Sequence, residues 1–139
     1  MFLETDPLSD AEIREIFEFK NIAVIGMSRH DYKAAHSIPK YLMEQGYNII
    51  PVNPNVDEIL GKKAFNTIEE VEEDIDVVEI FRPSEQVLPF VEQAIKKHPK
   101  VIWLQLGIHD PEAEELARKA GIKVVFNRCM YPEHQRLMS

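Results

Sequence analysis

Residues 24–30 read VIGMSRH, an apolar run that ends in one glycine and passes into Ser28, Arg29 and His30 before helical spacing resumes. This is the layout of a strand turning at its carboxyl end into a helix, where a hydroxyl and backbone amides gather around a potential anion. A dinucleotide fingerprint, GxGxxG, would need glycines at 28 and 31, where Ser28 and Asp31 stand, and the second apolar run ends in Val52, Asn53 and Pro54 with no acid for ribose hydroxyls. A Walker loop is excluded as well, because no GlyLys followed by Ser or Thr closes the turn. The turn therefore suits a phosphorylated ligand other than NAD, FAD or a hydrolysed ATP.

Outward from this turn the same pattern repeats. Five short apolar runs, at 22–26, 47–52, 76–81, 100–106 and 122–127, alternate with helical segments. Such runs mark strands buried on both faces, and the alternation predicts an α/β fold with a five-stranded parallel sheet and helices on both faces. Right-handed crossovers make the sheet open and doubly wound, with expected strand order 3-2-1-4-5. Ser9 and Glu12 form a capping box for a first helix, whose stripe is Ile13, Ile16 and Phe17. A helix near 35–45 ends at Gly46, and another runs from Asp110 and Pro111 to Gly121. Thr67 and Glu70 read as a second capping box, and 84–97 as a longer helix bent at Pro89.

The chain has 139 residues, 45% hydrophobic and 29% charged, which predicts one domain: a helix within 1–20 packed on a core spanning 21–139. A formal net charge of −8 argues against nucleic acid or an anionic membrane as partner. No apolar segment approaches the roughly 20 residues that cross a bilayer, and the acidic opening MFLETDPLSDAE is unlike a signal peptide. Cys129, the single cysteine, allows no internal disulfide. The expectation is a cytoplasmic protein, monomeric or homodimeric, with any protein partner unknown.

In a doubly wound sheet, ligands bind beyond the carboxyl ends of the strands. The loops there are Gly26, Met27, Ser28 and Arg29; Asn53, Pro54 and Asn55 after Val52; Phe81, Arg82 and Pro83; Gln105, Leu106 and Gly107; and Asn127, Arg128 and Cys129. Arg29, Lys33, Arg82 and Arg128 bring positive charge to four places on this edge of an acidic chain, which points to a multiply anionic ligand.

In their order and spacing, VIGMS, YNIIPVNPN, the IlePheArgPro after the third strand, WLQLG and the late ArgCys make the chain resemble the small bacterial and archaeal CoA-binding proteins. These are three-layer Rossmann-like domains similar to the CoA-binding domain of the succinyl-CoA synthetase alpha subunit, and the resemblance runs from about Asn21 to Leu137. It implies a site for coenzyme A, or an acyl-CoA, built from all five loops. Gly26, Ser28 and Arg29 would meet phosphates and Asn53, Pro54 and Asn55 border the nucleotide end, with Met27 and Val52 also counted among the cofactor-binding residues. Phe81, Arg82 and Pro83 would shape the wall, Gln105, Leu106 and Gly107 lie along the ligand, Arg128 and Cys129 lie toward the pantetheine arm, and Asn127 is also counted among the cofactor-binding residues. Lys33 is, by charge, the expected partner of the 3′-phosphate. The chain departs from commoner family wording at Asn127, where an acid is frequent, and at HisAspTyrLysAlaAla in its first loop.

Arg128 beside Cys129 would favour a thiolate able to form a mixed disulfide with CoA. No catalytic constellation emerges: the five histidines lack metal spacing, His36 and Ser37 are adjacent, and there is no GxSxG elbow. His30 reads as a solvated loop residue, and the acidic run at 69–74 as a solvated face. The residues leave three functions open: a CoA-binding module acting as carrier, sensor or thiol reservoir; an acyl-transfer or ligase-type enzyme needing a partner subunit; or an interaction protein with a degenerate site.

Overall fold

The computed structural model describes residues 4–138. Strands β1 (Asn21–Ile25), β2 (Asn48–Val52), β5 (Val77–Ile80), β6 (Val101–Leu104) and β7 (Lys123–Val125) form one parallel sheet, and β3 (Glu58–Ile59) pairs with β4 (Lys62–Lys63) in a small hairpin. Alternation along β1 divides its side chains between two cores. Ile22 and Val24 pack under α1 (Asp10–Ile16), α2 (Ala34–Glu44) and α5 (Met130–Met138); Ala23 and Ile25 pack under α3 (Val87–Ile95) and α4 (Pro111–Lys119). The expected α/β class, a parallel sheet layered between helices, is therefore found.

The strand order differs from expectation. It runs β2-β1-β5-β6-β7, so the third long strand lies on the far side of β1 instead of outside β2. The outer edge of β2 is already taken: Phe65 bridges Val52, donates its N–H to Pro51 at 3.0 Å and accepts from Asn53 at 2.8 Å. All of Val77–Ile80 is buried, which an edge strand could not achieve. The reversal of winding consequently falls between β1 and β5, and the crevice opens there.

Local punctuation largely follows the sequence. Ser9 and Glu12 make the capping box, and Asp110 accepts from the amides of Glu112 and Ala113. The second box does not form. Thr67 makes no side-chain cap, and only a 3-10 turn, Ile68–Glu70, follows it. One hydrogen bond per 3-10 turn gives a capping pair too little helix to stabilise. Ser84–Gln86 is likewise a 3-10 turn, and α3 starts only at Val87. Pro89 therefore occupies the first turn, where its missing N–H costs nothing.

Candidate functional site

Gly26 ends β1 with φ +82°, and a Cβ there would lie 2.6 Å from the Phe81 carbonyl oxygen. Glycine is required because the β1 and β5 loops touch at the switch point. The loop beyond is tied on several sides. Asn53 Nδ2 donates to the Met27 carbonyl at 2.8 Å, and His36 Nδ1, buried, donates to the Ser28 carbonyl at 2.8 Å. Pro39 lies inside α2 and cannot donate to Ala35, four residues back; the Ser28 amide takes that carbonyl at 3.1 Å. The Ser28 Oγ accepts the His30 amide at 3.0 Å, so the hydroxyl keeps only its own proton to offer. Ser28 is thus chiefly a loop-setting residue.

Two clefts open at this edge of the sheet. The first, of about 560 Å³, runs from the β1 loop over the β2 loop to α3; the second, of about 470 Å³, lies between the start of α2 and the β5 and β6 loops. Lys33 and Arg82 line both and form their junction. The first is the more polar of the two and mixed in character, with Arg29, His30, Asn53, Asn55, Asn66, Thr67 and Gln93 beside an apolar patch that includes Val56, Pro54 and Phe90. The second is mostly apolar, with Ala34, Ala35, Ile38, Phe81, Pro83, Leu106 and Ile108, and Gln105 and Cys129 add its polar atoms. Among the described residues, none of those lining either cleft is an Asp or Glu, although the chain carries 24 of them. Local field, not net charge, decides what enters.

Most of the expected residues gather here. Gly26, Met27, Ser28, Arg29, Val52, Asn53, Pro54 and Asn55 line the first cleft; Phe81, Pro83, Gln105, Leu106 and Cys129 line the second. Gly107, Asn127 and Arg128 line neither. Asn127 Oδ1 accepts the Gly107 amide at 2.7 Å, which pins the β6 loop from behind. Arg128 is turned to the protein: it binds Asp6 through Nε at 3.0 Å and Nη2 at 2.9 Å, and reaches Glu133 at 3.4 Å. Its charge is spent on two carboxylates, so the expected activation of Cys129 fails. Burial instead pushes the Cys129 thiol up, with Glu79 and Glu133 adding to the rise. Asn66, Thr67, Phe90 and Gln93 were missed, as were Ala34, Ala35, Ile38 and Ile108 around the second cleft. Phe90 and Gln93, spaced three apart on α3, carried the one readable signal.

Beneath the second cleft sits Glu79, fully buried in the middle of β5. Its Oε2 accepts from Gln105 Nε2, and its Oε1 has no partner among the described residues. Burial pushes this carboxyl up to about 8, against the opposing bond from Gln105. Among the described residues, no cluster of three or more His, Cys, Asp or Glu side chains has the geometry to hold a metal, and no helix is long and apolar enough to cross a membrane.

Comparison with known proteins adds four findings. Residues 20–135 match the family model described as CoA binding domain. The uncharacterized protein YneT of Bacillus subtilis is 38% identical over 127 residues, covering 91% of this chain and 94% of that one. The ADP-forming acetate–CoA ligase of Methanocaldococcus jannaschii is 32% identical over 129 residues, but those span 87% of this chain and only 18% of the ligase. Among solved structures, a hypothetical protein from Pyrococcus horikoshii OT3 superposes with TM-score 0.92 at 40% identity, covering 99% of this chain and all of its own.

Proposed function

The chain belongs to the CoA binding domain family, and on that premise we propose that its two joined clefts hold one coenzyme A molecule, nucleotide in the polar cleft and pantetheine arm in the apolar one. The observation that carries this reading is the junction. Two clefts of unlike character, one mixed and one mostly apolar, both free of lining carboxylates, meet at Lys33 and Arg82. An elongated ligand with a polar head, a diphosphate middle and a largely apolar arm matches that sequence of environments. Ala34 and Ala35, next in sequence to Lys33 and lining the apolar cleft, begin α2, so their amides have no partners inside the helix and favour an anion nearby. Lys33 then belongs to the diphosphate, and Arg29, which lines only the nucleotide cleft, takes the 3′-phosphate.

Calorimetric titration with CoA tests the assignment. Arg82→Ala and Lys33→Ala should each weaken binding roughly 10- to 100-fold, the range of a charge-assisted hydrogen bond lost. Both variants binding as tightly as the parent would remove the site.

Cys129 lines the arm cleft. Its thiolate, attacking one sulfur of CoA disulfide, would form a Cys129–CoA disulfide and release the other CoA as thiol. Because burial raises this thiol, the adduct seen by intact mass should accumulate faster at pH 9 than at pH 7; an adduct absent at both would end the thiol-reservoir reading. The ligase relatives support a second reading, in which the module presents CoA to a partner chain. Since this chain spans under a fifth of the Methanocaldococcus jannaschii ligase, a ligase reaction would need parts from elsewhere.

A further inference from the structure

We propose that Glu79 and Gln105 form a proton-linked floor for the apolar cleft, so that a ligand whose arm fills this cleft binds together with a proton held on the Glu79 carboxyl. The inference rests on the CoA reading above and adds to it a residue that contacts no ligand. Glu79 stands opposite Val24 of β1 and Trp103 of β6 in the register. Gln105, two residues beyond Trp103, is on the same face and lines the cleft, so the Glu79 side chain leans along β5 toward the carboxyl edge to meet it. One carboxyl oxygen takes the Gln105 amide; the other is buried without a partner among the described residues. An ionised carboxylate so placed leaves a charge nearly unsolvated, whereas the protonated form does not.

Filling the cleft strengthens that bias. An arm lying on Gln105 excludes solvent above the pair, and the ligand's phosphates occupy Lys33, a cation on the rim. The neighbouring charges do not reverse it. The strands beside Glu79 present Val24 and Trp103. From α2 comes His36, committed to the Ser28 carbonyl. The α5 side brings Cys129, His134, which bonds Tyr41, and the Arg128–Glu133 pair, itself anchored on Asp6. The first helix, α1, turns Ile13 and Ile16 inward. Binding therefore raises the proton affinity of Glu79, and by linkage ionisation of Glu79 weakens binding. Gln105 is the ligand contact in this scheme, and Glu79 is a positioning residue acting through it.

The test is calorimetry with acetyl-CoA, which has no free thiol, on a Cys129→Ser background at pH 8 in two buffers of different ionisation enthalpy. Uptake of about 0.4 proton per ligand is expected if binding moves a group that is half ionised at pH 8 up by one unit or more. Affinity should fall several-fold from pH 7 to pH 9. Glu79→Gln should bind with no proton uptake and no such fall, and Glu79→Leu serves as a second neutral variant if the first folds poorly by circular dichroism. Uptake persisting in either folded variant, or absent from the parent despite measurable binding, overturns the inference alone. No heat of binding in the parent overturns both the inference and the CoA assignment.

Discussion

At Gly26 two constraints coincide. The φ of +82° lies where a side chain is strained, and the 2.6 Å gap to the Phe81 carbonyl oxygen leaves no room for a methyl group. Phe81 cannot retreat cheaply, because its own N–H is bonded to Ile25 at 2.9 Å across the switch point. Gly26→Ala should therefore cost about 1–3 kcal/mol in urea denaturation and displace Arg82, whose Cδ lies 3.1 Å from the same point, with a matching loss of CoA affinity. Unchanged stability would mean that the two loops are not in contact. At this scale Gly26, Arg29 and Arg82 were legible from residue type and place, since strand ends announce themselves. Arg128 was not: its type and place were equally suggestive, and only its partner Asp6, 122 positions away, shows that its charge is occupied.

Among the elements, α4 has the clearest beginning. Asp110 accepts two amides, Pro111 starts the helix, and the acids Glu112 and Glu114 face its positive end. Asp110→Ala should lower the denaturation midpoint by an amount equivalent to about 1 kcal/mol while leaving CoA affinity unaltered, because α4 lines neither cleft. A loss of affinity in that variant would show that α4 couples to the site. The elements that sequence reading missed gave no periodic signal. The β3–β4 hairpin has two residues per strand, and its turn places Leu60 at φ +52° before Gly61 at φ +75°, where leucine conceals the usual Asn-Gly or Asp-Gly mark. In α5 Pro132 reads as a breaker, yet it is the third residue, within the turn that tolerates proline.

Across the whole molecule, the segment before α1 is held to the sheet's far end by Asp6, whose carboxylate takes the Phe126 amide at 3.0 Å and the Arg128 guanidinium. Asp6 has no exposed side-chain surface and Arg128 is 14% exposed, so removing one partner strands a buried charge. Arg128→Ala should destabilise by about 3–5 kcal/mol in guanidinium unfolding, with the folded protein still binding CoA at parental affinity. Weakened binding at full stability would restore Arg128 to the site. The sequence by itself determined the α/β class, the positions of the five long strands and the sheet edge at which the polar loops gather, because burial on two faces and helix punctuation are local properties of the chain. Only the tertiary structure decided the strand order, the union of two unlike clefts at Lys33 and Arg82, the withdrawal of Arg128 and the burial of Glu79. Each of these depends on which distant segment fills an edge, neutralises a charge or excludes water, and neither composition nor periodicity carries that information.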